Sequence, residues 1–341
     1  MNRPEALPGL APFVDAATLA ADRLSKTSSL LLAASQSLGY EHLVESEFGV
    51  VGRIEAKGRS LIYRGGLLGI NSAGASALCR DKAYCASVLQ AAGVPLPKMC
   101  SFFSPDFDAF AARRGTAAAL RFASQLGYPV FVKPNEGTRS FGACRADDDD
   151  QLAWALERSF LRREGRVSLV QDFIEGSELR LLVLDGAIEL AYRKQPIWIC
   201  GDGEARLSEL LEALRAKLVD EGRKVFKPGD PRVKQSFERR GLALDSKPFG
   251  RLPLSDALSL ELGGDVELIT APDEQLRTIA RRSFEALGLR FGSIDLIRRP
   301  AGEALVIEVN SAPGVLGLSR LGHEREAIAL YRAVLEAHFE P

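Results

Sequence analysis

The stretch IDLIRRPAGEALVIEVN, residues 294–310, constrains this chain more than any other part of it. Apolar residues crowd both halves and Pro-Ala-Gly-Glu between them supplies a turn, so the segment reads as a β-hairpin. Pairing Arg299 with Ala304 across that turn sets Asp295 opposite Glu308. The two-residue period then places Asn310 on the face of Glu308 and points Leu305, Ile307 and Val309 to the other side. Two carboxylates and an amide oxygen converge on one spot. Carboxylates this close repel unless a cation or a proton intervenes, and hard oxygen donors of this kind suit Mg²⁺, whose shell is completed by water and substrate phosphates. A solvated acidic patch is the competing reading, and it suits three polar residues set among apolar neighbours less well.

A second constellation is the glycine-bearing loop NEGTRSFGA, which follows a segment of strand composition, YPVFVKP, ending at Pro134. Gly137 and Gly142 bracket four residues as in a Walker A loop, but Ala143 and Cys144 stand where a lysine and a Ser/Thr are needed, which disfavours a P-loop NTPase. Lys133 precedes the loop at the strand end. A glycine loop over phosphates with a fixed cation from the adjacent strand is another way to hold a nucleotide. An ordinary glycine turn after a strand fits equally well.

The third lies in VSLVQDFI, ELRLLVLDG and AIELAYRK, three strands of which the last two are joined by the hairpin signal Asp185-Gly186. A regular two-residue hairpin sets Leu184 opposite Ala187, Glu178 opposite Arg193 and Arg180 opposite Ala191. Glu178, Arg180 and Arg193 then share one face. That is either a cross-strand ion pair on a wet face or a charge-neutralising wall for phosphate, since guanidinium is permanently charged and forks onto phosphate oxygens.

Around these motifs the chain reads as ordered and folded. Its 341 residues, 46% of them hydrophobic, are enough for two or three lobes with real cores. With 44 basic against 45 acidic side chains, no electrostatic reason exists to expect nucleic acid or an anionic membrane as partner. Cys79, Cys85, Cys100, Cys144 and Cys200 form no CxxC pair and read as small core residues in a reducing compartment. His42, His323 and His338 lie too far apart for a zinc site. Asp15 and Asp22 interrupt the mildly apolar N-terminal stretch and no long apolar run follows, so a cytoplasmic protein without signal peptide or membrane span is expected.

Helices are expected over 18–38, 77–92, 116–126, from Gln151 and over 273–287, with a last one from about His323. The four acids Asp147 to Asp150 read as helix-capping carboxylates rather than a metal cluster. The polar stretch 220–235 reads as a mobile surface loop. The punctuation implies an α/β or α+β protein of three lobes, 1–95, 96–178 and 179–341.

Taken together, residues 65 to 320 resemble the ATP-grasp superfamily of carboxylate-amine ligases. The likeness is to the ATP-grasp module of cyanophycin synthetase before glutathione synthetase and D-alanine-D-alanine ligase. RDKAYCASVLQAAGVPLP resembles the family's Asp-Lys helix, QDFIEGSELR its hinge strand, and IDLI with VIEVNSAPG its metal strand pair. The resemblance implies an ATP-grasp fold with ATP between the central and C-terminal lobes. It implies Lys82 and Lys133 with Gly137, Ser140 and Gly142 at the phosphates, Gln171, Asp172 and Ile174 at adenine, and Glu178 at the ribose. Gln171 stands where a glutamate is frequent. Arg193 maps onto an arginine that precedes a Gly-Asp-Gly turn, here 201–203, and SLELGGD departs from the family's Asn-Leu-Ser-x-Gly-Gly.

With Arg180 and Arg193 as catalytic charges and Asp295, Glu308 and Asn310 holding Mg²⁺ or Mn²⁺, the implied activity is ATP-dependent joining of an amino acid or short peptide to an amine. The reaction passes through an acyl phosphate with release of ADP and phosphate. Ser311, Gly314 and Arg320, on the loop after Asn310, are the candidate substrate contacts. The loops 135–142 and 220–235 are the candidate lids. Peptide- or protein-modifying ligases and inactive ATP-binding relatives remain open, as does a homodimer.

Overall fold

The computed structural model describes residues 10–107, 113–137, 140–161 and 166–340. Packing divides the chain into two units, 1–71 with 312–341, and 72–311. The lobe boundaries read from sequence near 95 and 178 therefore both fall inside the second unit.

In the first unit, strands β1 (Phe13–Asp15), β2 (Glu41–Glu45), β3 (Val51–Ala56), β4 (Arg59–Arg64) and β5 (Leu67–Leu68) form an antiparallel meander in sequence order. Lys57 and Gly58 both adopt positive φ between β3 and β4, as a tight hairpin requires. The helix expected from residue 18 starts later, as α1 (Lys26–Leu38), because Ser25 caps it by accepting from the Ser28 amide.

The second unit begins with α2 (Ala73–Arg80) and α3 (Lys82–Ala91), where one helix was expected. Asp81 breaks the run at φ −90°, ψ 98° and caps the second helix by accepting from the Tyr84 amide, which leaves Lys82 at its first turn. Strands β6 (Met99–Phe103), β7 (Val130–Pro134), β8 (Cys144–Ala146) and β9 (Val167–Asp172) form a sheet in the order β6-β9-β7-β8. Helices α4 (Thr116–Leu126) and α5 (Asp149–Phe160) cover one face of it through a core that includes Ala119, Ala123, Val130, Val132, Leu156 and Val170. Asp148 caps α5 by accepting from the Gln151 amide, the role expected of that acidic run.

Next come β10 (Ser177–Leu184), β11 (Ala187–Gln195), β12 (Trp198–Asp202), α6 (Leu207–Asp220), α7 (Pro231–Arg239), β13 (Phe249–Pro253), β14 (Asp265–Leu268), α8 (Glu274–Leu287), β15 (Phe291–Arg298) and β16 (Ala304–Asn310). The order β14-β11-β10-β15-β16 makes a five-stranded sheet, and α2, α3 and α8 share its core with Leu179, Leu181, Ile294, Leu296, Val306 and Val309. All strand pairs among the described residues are antiparallel, which makes the architecture α+β.

Only part of the 220–235 stretch is a loop, since 221–230 carries no helix or strand but is anchored, and the rest is helical. Phe226 and Val233 are buried in a separate core with Ile199, Leu207, Phe237 and Leu254, and from Pro231 the chain is α7. Phe226 and Val233 are the apolar anchors of this largely polar segment. Helices α9 (Leu316–Arg320) and α10 (Glu324–Phe339) return to the first unit, where α10 packs on α1. Cys79, Cys85 and Cys144 are buried as expected, but Cys200 is exposed. Among the described residues no helix is long and apolar enough to cross a membrane.

Candidate functional site

The site is built on the face of the five-stranded sheet that looks away from α2, α3 and α8. Two β-bulges decide what that face contains. Between β15 and β16 the turn pairs Arg298, not Arg299, with Ala304, one step off the expected register. An extra residue, Ile307, then shifts the strand back, so Asp295 does lie opposite Glu308. The expected apolar set is split in consequence, and Val309 joins Ala304 and Val306 in the core rather than lying beside Leu305.

The bulge between β10 and β11 has the opposite effect. Leu184 pairs with Ala187 as expected, but Glu189 is the extra residue, so Arg180 pairs with Tyr192 and Leu179 with Arg193. Arg193 is thereby turned to the other face, where it is 44% exposed and donates to Glu267 at 3.2 Å. Its expected convergence with Glu178 and Arg180 is not observed. Lys194 takes the place instead. One cross-strand row now reads Tyr192, Arg180, Asp295, Glu308, with Lys194 and Glu178 in the next.

Arg180 donates to Asp295 through Nε at 2.8 Å and Nη2 at 2.6 Å. Lys194 Nζ donates to Glu178 and, at 2.9 Å, to Asp295 Oδ1. Burial pushes the Asp295 carboxyl up, but the Arg180 and Lys194 charges override it and hold the group well below the usual carboxylate range. Asn310 is near enough to donate to Asp295 Oδ2 at 3.4 Å. Asp295, Glu308 and Asn310 thus come together on one face, and two carboxylates with an amide are a donor set that fits Mg²⁺.

The β6-β9-β7-β8 sheet contributes from the face that α4 and α5 do not cover. Lys133, paired with Leu169 across β7 and β9, is buried and donates to the carbonyl of Ile307, the bulged residue of β16, at 2.8 Å. Burial pushes it down to about 8. Lys82 Nζ donates to the carbonyls of Asn135 and Gly137 at 3.4 and 3.2 Å and lies 3.4 Å from Glu308. The Asn135 side chain ties the helix to the loop root by accepting from the Ala83 amide at 2.8 Å. Lys82, Lys133 and Glu308 line one cavity with Met99 and Leu96.

Gly137 and Gly142 have positive φ, which glycine permits, and Ser140 also adopts a left-handed φ of 60° despite its Cβ. Thr138 and Arg139 between them lie outside the described residues. Gln171 is 3% exposed on the Lys133 face, opposite Phe131, and its Oε1 has no hydrogen-bond partner. The Asp172 amide donates to Lys98 O, Arg299 approaches its carboxyl at 3.8 Å, and Ile174 is buried. Ser311 is buried at the end of the second unit, whereas Gly314 and exposed Arg320 belong to the first.

Lys194 is the residue that sequence reasoning missed. Nothing in AIELAYRK separates a regular strand from a bulged one, and only the register reveals which basic residue faces the site.

The fold is that of the ATP-grasp ligases. Residues 88–197 match the family model described as the D-ala D-ala ligase C-terminus. Cyanophycin synthetase of Trichormus variabilis is 27% identical over 268 residues, which span 73% of this chain and 27% of that protein. D-alanine–D-alanine ligase of Pelobacter propionicus is 29% identical over 252 residues, 72% of this chain and 60% of the relative. Among solved structures, a bifunctional glutathione synthetase from Pasteurella multocida superposes with a TM-score of 0.53 at 20% identity over 92% of this chain and 45% of its own. The chain therefore spans about a quarter of the length of the cyanophycin synthetase that it matches.

Proposed function

We propose that the chain is an ATP-dependent carboxylate-amine ligase that joins an amino acid or short peptide to an amine through an acyl phosphate, with release of ADP and phosphate. The observation that carries this reading is the convergence of Lys82 and Lys133 from one side with Arg180, Lys194, Asp295 and Glu308 from the other. Four cations around a pair of opposed carboxylates suit a phosphoryl group more than any neutral ligand.

A carboxylate is a poor electrophile at neutral pH, and phosphorylation turns it into one. Lys133 and Lys82 neutralise the phosphates from the glycine-loop side, while Arg180 and Lys194 face the group in transfer. Glu178 and the β9 hinge hold the nucleoside, with the unpartnered Gln171 Oε1 offered to a donor on the base. A magnesium ion held by Asp295, Glu308 and Asn310 would supply further charge shielding. Most of the acceleration then comes from positioning and electrostatics. Names among the relatives support amino acids as substrates.

The test is incubation with ATP, Mg²⁺ and pairs of amino acids or short peptides, with detection of ADP, phosphate and the amide product by mass. Hydroxylamine should trap the activated acid. AMP and pyrophosphate as products would overturn the mechanism.

A further inference from the structure

Asp295 has no lone pair left for a metal ion. Its Oδ1 accepts from Arg180 Nε at 2.8 Å and Lys194 Nζ at 2.9 Å, and its Oδ2 from Arg180 Nη2 at 2.6 Å and Asn310 Nδ2 at 3.4 Å. A carboxylate offers about four such positions. Lys194 also engages Glu178, and the side chains of Arg180, Lys194, Asp295 and Glu178 are 20%, 8%, 3% and 15% exposed. This is a closed, neutral quartet. Glu308, the remaining acid, lies 3.4 Å from Lys82, and Lys133 stands behind it. Three acids thus face four cations.

A site with that balance attracts an anion and repels a divalent cation, and Mg²⁺ gives up its water only to uncompensated oxygen. We infer, on the basis of the ligase reading above, that Arg180 and Lys194 are exchangeable counter-ions of Asp295. Nucleotide phosphates draw them off, and only then is the carboxylate free for metal. Metal affinity is thus created by the nucleotide, and the two ligands are positively coupled. Arg180 and Lys194 serve the same coupling, since each gives up a carboxylate and gains a phosphate oxygen.

The measurement is Mn²⁺ binding by electron paramagnetic resonance, with and without ADP, together with ADP binding in excess chelator by calorimetry. The wild-type chain should bind ADP without metal and should bind Mn²⁺ at least about tenfold more tightly with ADP than alone. Arg180→Gln should move the two affinities in opposite directions, tightening nucleotide-free Mn²⁺ and weakening metal-free ADP, each by about tenfold. Lys194→Met should do the same and serves if the first variant does not fold by circular dichroism. A purely structural role would weaken both ligands together, and that outcome overturns the inference. Wild-type Mn²⁺ binding that ADP does not change overturns it too. Absence of ADP binding under any condition would instead defeat the ligase reading on which it rests.

Discussion

Arg193 and Lys194 are neighbours in sequence and differ in everything that matters for the site. Lys194 is enclosed with Glu178 and Asp295, where burial lowers its pKa but the two carboxylates raise it further, so its charge is secure. Arg193 shares an exposed ion pair with Glu267, the kind worth about 0–1 kcal/mol. Arg193→Ala should therefore leave kcat/KM within about twofold and stability within about 1 kcal/mol of wild type. Lys194→Ala should lower kcat by about a hundredfold or more. Steady-state kinetics of the two variants decide, and the reverse ranking would mean the unbulged register. In the first unit, His42 accepts or donates at Ser35 Oγ and Tyr63 OH and is 3% exposed, and burial lowers its pKa to about 4. The unfolded chain then binds more protons between about pH 6.5 and 4. Its stabilising contribution is full above the unfolded value and is lost as pH falls through that window, of the order of 3 kcal/mol. Denaturant melts of the wild type and His42→Gln across pH 7 to 4 should show the slope in the first and a smaller one in the second.

At the level of elements, what was legible in the sequence was whatever local chemistry dictates. The Asp185-Gly186 turn, the helix expected over 273–287 and the strand ending at Pro134 all stand where caps and turn residues put them. The bulges were not legible, because an extra residue in a ladder is chosen by packing on both faces and leaves no side-chain signature in AIELAYRK or ALVIEVN. One bulge corrected an error at the turn and preserved the Asp295–Glu308 pair, whereas the other replaced Arg193 by Lys194. Helix α7 was missed for a related reason. Its polar sequence is held by long-range partners that no window of sequence shows. Arg239 donates to Asp256 at 2.9 Å and to Asp147 at 2.6 Å, Arg240 to Asp256 at 2.7 Å, and Arg232 stacks over Phe141 at 4.5 Å. Asp256 is 3% exposed beneath two guanidiniums. Asp256→Ala takes the ion-pair partner of Arg240 and leaves Arg239 with Asp147, and should cost about 3 kcal/mol. Hydrogen exchange should show the loss first in α7, and unchanged protection there would mean that the helix is held by its apolar anchors alone.

On the scale of the molecule, every group assigned to phosphate or metal lies within residues 72–311. Lys82, Lys133, Arg180, Lys194, Asp295, Glu308 and Asn310 are supplied by α3, β7, β10, β11, β15 and β16. Those elements belong to two separate cores of one unit, and the Lys133 contact with Ile307 O joins the two sheets directly. A ligand that binds the folded site and not the unfolded chain stabilises by mass action, about 2.7 kcal/mol at a hundred times its dissociation constant. A nonhydrolysable ATP analogue with Mg²⁺ should therefore raise protection across β7, β10, β15 and β16. The β2, β3 and β4 meander, whose core of Val44, Ile54, Leu61 and Tyr63 contains none of these groups, should be unaffected by it. Hydrogen exchange followed by mass spectrometry reads both regions in one sample. Equal gains in residues 41–64 and 291–310 would show that the first unit also binds the nucleotide, and the confinement of the site to residues 72–311 would then be wrong.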